Sequence, residues 1–142
     1  MPSEFPTNTA TWLLSRANAR AQAILARAFA PLEARPLHFR VLAALDEHDA
    51  LSQADLGRRL DLDRKDVALV VEVLDERGLV QRDPDPDDAR RKIVSLTAAG
   101  RELLPSLEEA VAAAQHAFLA PLDPHERATL TGILAKLGES PD

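Results

Sequence analysis

Cysteine and tyrosine are both absent from these 142 residues, and there is a single tryptophan. Without cysteine there is no disulfide framework, thiolate nucleophile, cysteine metal site or thiol redox switch. Aromatic residues make up only 4% of the chain, while alanine, leucine and arginine dominate, a composition that favours helices packed through small and aliphatic contacts. No run of about eighteen uncharged apolar residues is present to span a bilayer, and the opening MPSEFPTNTA lacks the basic and apolar regions of a signal peptide. A cytoplasmic protein with no membrane partner is expected. A cationic excess is missing too: 17 Lys and Arg face 23 Asp and Glu, for a net charge of −6. Taken alone, that balance argues against a nucleic-acid partner. Nor is there a P-loop, a dinucleotide-binding glycine pattern, H-E-x-x-H or G-x-S-x-G, so neither an enzyme nor a cofactor is expected.

The length suits one domain with a real core. Leu14, Ala17, Ala21, Ile24, Leu25, Ala28 and Leu32 recur at spacings of three and four, which predicts a long helix over 10–32; Arg16, Arg20 and Arg27 share another face, read as solvated. Pro31 and Pro36 bracket a break, and Pro36 suits the first turn of a helix carrying Phe39, Val41, Leu42 and Leu45. Ser52 with Asp55, and Asp63 with Asp66, read as N-terminal capping pairs of two short helices around the turn Asp61-Leu62, and Gly78 suits a left-handed close of the second. In that second helix Val67, Val70, Val71 and Leu74 form a buried stripe; Lys65, Leu69, Glu72 and Glu76 point away, with Ala68 at the margin. Two short alternating runs, LVQRD and KIVSL, predict a two-stranded hairpin. Thr97 then caps a helix with Leu103, Leu104, Leu107, Val111, Ala114 and Phe118 on its apolar side, which Pro105 should bend, and Asp123 with Glu126 caps the last helix.

The fold expected is therefore mainly α: a winged helix-turn-helix over 36–96 with a two-stranded β wing, flanked by long dimerisation helices over 10–32 and 98–137, all within one domain, 1–142. So small a wing cannot cover the apolar faces of the long helices, and a second copy of the chain is the simplest cover. The wing loop, RDPDPDDARRKIVSL, sets four aspartates beside Arg90, Arg91 and Lys92. A charged turn is ordinarily just a solvated loop; its neighbours make it more.

The segment DLDRKDVALVVEVLDERGLVQRDPDPDDARRKIVSLTAAGREL resembles the centre of the MarR (multiple antibiotic resistance regulator) family: a capped recognition helix ending in LDERGLV, a wing with a D-A-R-R tip, and LTAAG leading into the next helix. Upstream, RPLHFRVLAAL followed by LSQADLGRRL resembles the family's second and third helices, so the likeness covers nearly the whole chain. The resemblance implies a homodimeric transcriptional regulator, usually a repressor, that binds a pseudo-palindromic double-stranded DNA operator and releases it when a small molecule binds. It implies that Arg90 reaches the minor groove and that Asp88 holds it, with Arg91 and Lys92 beside phosphates. The chain departs from the commoner family pattern at Asp66, Ala68 and Leu69, where Ser, Thr and Arg are frequent, and at Asp61, where glycine is frequent. Lys65, next to Arg64, is then the candidate for a base edge, and Ala68 or Leu69 for a thymine methyl. Residues 52–96 hold nine cations against eleven acids, net −2, so placement of the cations has to carry DNA binding.

The helices of Trp12 and His38 correspond to those that wall the family's effector cleft, with Arg16 and Arg40 nearby; an indole, an imidazole and a guanidinium would suit an aromatic carboxylate or phenol. Against that, a lone Trp near a helix start is commonly dimer packing and a lone His a satisfied boundary residue. His48, His116 and His125 show no metal spacing. An alternative function is a winged-helix adaptor that has lost DNA and uses Leu69 and Val73 against a protein partner; the acidic balance favours it and the basic wing opposes it.

Overall fold

The aliphatic spacing of the first third of the chain becomes helix α1 (Ala10–Phe29), which starts at Thr9, whose hydroxyl accepts the Trp12 N–H at 3.2 Å. The computed structural model describes residues 7–139, so residues 1–6 of the stretch read for a leader lie outside the described residues. A 3-10 turn (Ala30–Leu32) and a left-handed Glu33 (φ 52°) lead into α2 (Pro36–His48). A short strand β1 (Ala50–Ser52), α3 (Gln53–Leu60), α4 (Arg64–Glu76), β2 (Val80–Asp85) and β3 (Asp88–Leu96) follow, and then α5 (Ala98–Leu119) and α6 (Pro124–Glu139). Pro105 lies inside α5, which continues through it.

The expected helix starts are made by the expected side chains. Ser52 Oγ accepts the Asp55 N–H (3.0 Å), Asp63 Oδ1 accepts the Asp66 N–H (2.8 Å), and Thr97 Oγ1 accepts the Gly100 N–H (3.1 Å). Asp123 and Glu126 cap each other's backbone N–H reciprocally at 2.8 and 3.0 Å. Such caps contribute about 1 kcal/mol each. Asp61 takes the left-handed conformation (φ 53°) that closes α3, and Gly78 (φ 73°) closes α4, with the Leu79 N–H on the Leu74 carbonyl at 2.9 Å.

The sheet corrects the sequence expectation. It has three antiparallel strands in the order β1-β3-β2, since Ala50, Leu51 and Ser52 pair with Ser95, Val94 and Ile93. Three residues are too few to show a period-two pattern, and Ser52 serves both as the strand's end and as the cap of α3. The wing strands also reach beyond LVQRD and KIVSL, leaving Pro86 and Asp87 as the tip.

Leu42, Leu45, Leu56, Val71, Leu74, Val94 and Leu107 are fully buried and join α2, α3, α4, the sheet and α5 in one core. The stripe Val67, Val70, Val71 and Leu74 is buried, while Lys65, Leu69, Glu72 and Glu76 are exposed. Alongside, α5 lies against α1, and here the solvated-face reading of the first-helix arginines is corrected at Arg20. Its guanidinium donates to the carbonyls of Phe118 (3.0 Å) and Ala117 (3.3 Å) and sits 5.2 Å from the Phe118 ring centroid, capping the end of α5. Trp12, Leu13 and Leu14 on α1 and Ile133, Leu134 and Leu137 on α6 remain between 40 and 62% exposed, and α6 has no buried residue. Among the described residues no helix is long and apolar enough to cross a membrane.

Candidate nucleic-acid interface

The start of α3, the turn between α3 and α4 and the first half of β3 enclose a cleft of about 680 Å³. Its floor includes Gly57, Leu62 and Val67; five cations line it, Arg58, Arg64, Arg90, Arg91 and Lys92, against one acid, Asp61. The acidic chain therefore gathers positive charge on the face that carries the start of α4. Arg64 and Lys65 open that helix, so their charges project with its N-terminal N–H groups, the end of a helix suited to anions.

Wing cations divide into engaged and free. Arg82 donates from Nε (3.0 Å) and Nη2 (2.9 Å) to Asp75 Oδ2, tying β2 to α4. Arg91 donates to Ser52 Oγ at 3.4 Å and lies 3.9 Å from Asp85 Oδ2, tying β3 to β1. Arg90 is different: its side chain is 91% exposed, and Asp88 Oδ1 accepts both its backbone N–H (3.1 Å) and its Nε–H (3.2 Å). One carboxylate thus fixes the tip of the wing and the direction of the guanidinium together. Lys92 is exposed on the cleft rim. On the outer face of α4, Ala68 is exposed and Leu69 is 52% exposed.

Two cleft residues escaped sequence reasoning. Arg58 is ion-paired with Asp55, and that hydrogen bond, followed by the one to Ser52, holds the Asp55 carboxyl below its ordinary value. The signal was available as an Asp-x-x-Arg spacing on one helix face. Gln53, at the start of α3, lines the cleft with a buried Oε1 that has no hydrogen-bond partner among the described residues; nothing in its sequence context marks it.

The arrangement of helix, tight turn, helix and basic wing is matched by known proteins. The MarR family profile matches residues 35–91. A transcriptional repressor, NicR of Pseudomonas putida, is 32% identical over 90% of this chain and 81% of its own length. The chain belongs to the MarR family of transcriptional regulators. A regulatory protein for the hcr operon of Thauera aromatica is 36% identical over 70% of this chain, which spans 60% of that relative's length. Among solved structures, BpsR of Bordetella bronchiseptica, whose DNA binding is regulated by 6-hydroxynicotinic acid, superposes with a TM-score of 0.90 at 28% identity, covering 99% of this chain and all of its own. This MarR-family protein is thus a DNA-binding transcriptional regulator with the winged-helix fold.

The four residues suggested for an effector are not brought together within one chain of this regulator. Trp12 stands in the first turn of α1, about 25 Å along the axis from Phe29 at 1.5 Å per residue. His38 lies just beyond that far end, where its Nδ1 accepts the Arg35 N–H at 3.2 Å and caps α2. Arg40 donates to the Leu60 carbonyl at 2.9 Å and closes the end of α3. Arg16 is exposed on α1. Neither the wing cleft nor a shallow one beside Leu14 and Ser15 is lined by any of the four. Burial, followed by the charges of Arg77 and Arg35, holds the His38 imidazole below its ordinary value.

Proposed function

We propose that this chain is a repressor that binds a pseudo-palindromic operator as a homodimer and releases it when a small aromatic acid or phenol binds. The observation that carries the reading is the concentration of cations around one cleft in a protein of net charge −6. In the reading, the first turns of α4 enter the major groove, with Arg64 beside phosphates, Lys65 at a base edge and Ala68 or Leu69 against a thymine methyl. Arg90, held by Asp88, extends into the flanking minor groove, and Arg91 and Lys92 meet the backbone between the two grooves. Two such heads reach sites about 34–36 Å apart, one helical turn. The exposed apolar residues of α1 and α6 supply the dimer surface.

The repressor role is supported by NicR, and control of DNA binding by a small aromatic acid by BpsR. For the effector, Trp12 and Arg16 are the stronger pair, because His38 and Arg40 are already engaged at helix ends. A DNA partner would place the protein in the cytoplasm, with regulation as its role and no catalysis.

The test is selection of bound sequences from a random duplex pool, followed by an ionic-strength titration. A recovered palindrome whose affinity falls steeply with salt supports the reading. A second reading, a protein-binding adaptor, is favoured by the exposure of Leu69 (52%) and Val73 (42%) on α4. Failure to enrich any duplex from the pool would leave that one standing.

A further inference from the structure

The recognition helix is anchored at three places, and the third has no role in the reading above. Its start is tied to the α3–α4 turn by the Asp63 cap, and its last turn to the wing by the Asp75–Arg82 pair. At its C-cap, Arg77 reaches 44 and 45 residues back along the chain: Nη1 donates to the Glu33 carbonyl at 2.6 Å and Nη2 to the Leu32 carbonyl at 3.3 Å. Those carbonyls end the 3-10 turn that joins α1 to α2. We propose that Arg77 is a positioning residue that fixes the reading head relative to the α1 arm and so sets the half-site separation that the protein accepts. The inference rests on the operator-binding homodimer proposed above.

The acceptors are what make the contact a strut. A carboxylate partner on a long side chain can swing with the arginine, as surface ion pairs do, and holds little in place. Backbone carbonyls on a fixed turn cannot. This turn is fixed by the Glu33 N–H on the Ala30 carbonyl (3.0 Å), the Ala34 N–H on the Phe29 carbonyl (3.3 Å), and the fully buried Phe29 ring stacked 6.1 Å from Phe39. Glu33 itself is left-handed, a conformation that side chains other than glycine adopt only under such constraint. The planar guanidinium fork spans two successive carbonyls, which specifies direction as well as distance.

The lever is of the right size. A 13-residue helix is about 20 Å long, so rocking the head by about 10° about the Arg77 end displaces the start of α4 by about 3.4 Å. That is the rise of one base pair. Holding this angle separates an operator of the correct spacing from one a base pair too long.

The experiment uses the full chain, the operator recovered by duplex selection, and a series in which the half-sites are moved apart or together by one and two base pairs. Wild type is expected to lose about tenfold or more in affinity per base pair of misplacement. Arg77→Gln is expected to bind the best operator about 3- to 10-fold more weakly, as for a lost hydrogen bond, but to show a misspacing penalty reduced to about 2-fold. Arg77→Lys keeps charge and stem yet lacks the fork, and should behave as Arg77→Gln does; it stands in if the glutamine variant is poorly folded by circular dichroism. General destabilisation lowers all affinities without relaxing spacing. The proposal is overturned if both variants keep the wild-type spacing penalty. It is overturned equally if Arg77→Gln weakens every operator alike with a shallower salt slope, since Arg77 would then be a phosphate contact. If wild type binds no duplex at all, the DNA reading fails first.

Discussion

Head and arm use the same aliphatic residues and finish in different states. Between Pro36 and Leu96, leucines and valines at positions such as 42, 45, 56, 71, 74 and 94 are fully buried against one another. On α6, leucines and an isoleucine of the same chemistry are left between 42 and 62% exposed, and the first ten residues of α1 are exposed as well. Amphipathic spacing states only that a face wants cover. Whether the cover comes from the same chain depends on where the chain leads next, and among the described residues α5 is followed by α6 alone. The head is thus completed by its own contacts, and the arms keep exposed apolar surface that the proposed homodimer would cover.

That contrast breaks most visibly under substitutions of opposite kind. Leu134→Glu with Leu137→Glu should abolish dimerisation and reduce operator affinity by about 100-fold or more while helicity remains, because the charge enters a surface and not a core. Leu74→Ala, in the head, should cost about 2–5 kcal/mol of stability. Sedimentation and denaturant unfolding across protein concentrations separate the two. A doubly substituted arm that still sediments as a dimer sinks the comparison.

Gly100 marks the seam between the regions. A Cβ there would sit 2.2 Å from the Leu79 carbonyl oxygen, where Thr97 also donates its N–H to Leu79 (3.2 Å) and its hydroxyl to the Gly78 carbonyl (2.6 Å). Backbone cannot yield as a flexible side chain can, so Gly100→Ala should cost about 1–3 kcal/mol and pry α5 from the head. Wild-type stability in that variant would mean that the seam is looser than this contact implies.

Of comparable size but confined to DNA is the wing. Arg90→Ala should cost about 1–3 kcal/mol per half-site and flatten the salt slope. Asp88→Ala, acting through the arginine, should cost less, and the double variant should match Arg90→Ala. Tighter DNA binding by Asp88→Ala would reduce that carboxylate to a repelling charge.

What could be read from the sequence follows the reach of each contact. Caps at Ser52, Asp63, Thr97 and Asp123 act over three residues, and all were legible in residue order. So was the stripe of α4. β1 was not, because three residues carry no period and its partner lies more than forty residues away. The arginines divide in the same way. Arg90 pairs two residues off and was anticipated beside Asp88, whereas Arg20, Arg40 and Arg77 cap carbonyls 98, 20 and 44 residues away. The four effector candidates are spread along one chain for the related reason that a helical face says nothing about which other helix it will meet.

The smallest expected effect is one of pH, at the junction of arm and head. His38 Nδ1 accepts the Arg35 N–H, and burial together with Arg77 and Arg35 depresses its pKa below the ordinary 6.5. Protonation would turn that acceptor into a donor and add a third cation to the junction. The sign follows: with the folded value below the unfolded one, the stabilisation is present above about pH 6.5 and is lost as pH falls through the depressed folded value. Asp55, also depressed, acts below its ordinary 3.8, so the range from about pH 6.5 to 5 isolates the histidine from that carboxylate. His38→Gln offers an uncharged acceptor that can reach back to the same N–H from the same helix position. Wild type should therefore lose stability on acidification through this range more steeply than His38→Gln, with the two converging above pH 7. Urea unfolding at half-unit pH steps measures it. Parallel curves for the two proteins would show that the imidazole titrates without consequence, and that the junction between α1 and the head is held by Arg77 and the buried Phe29 alone.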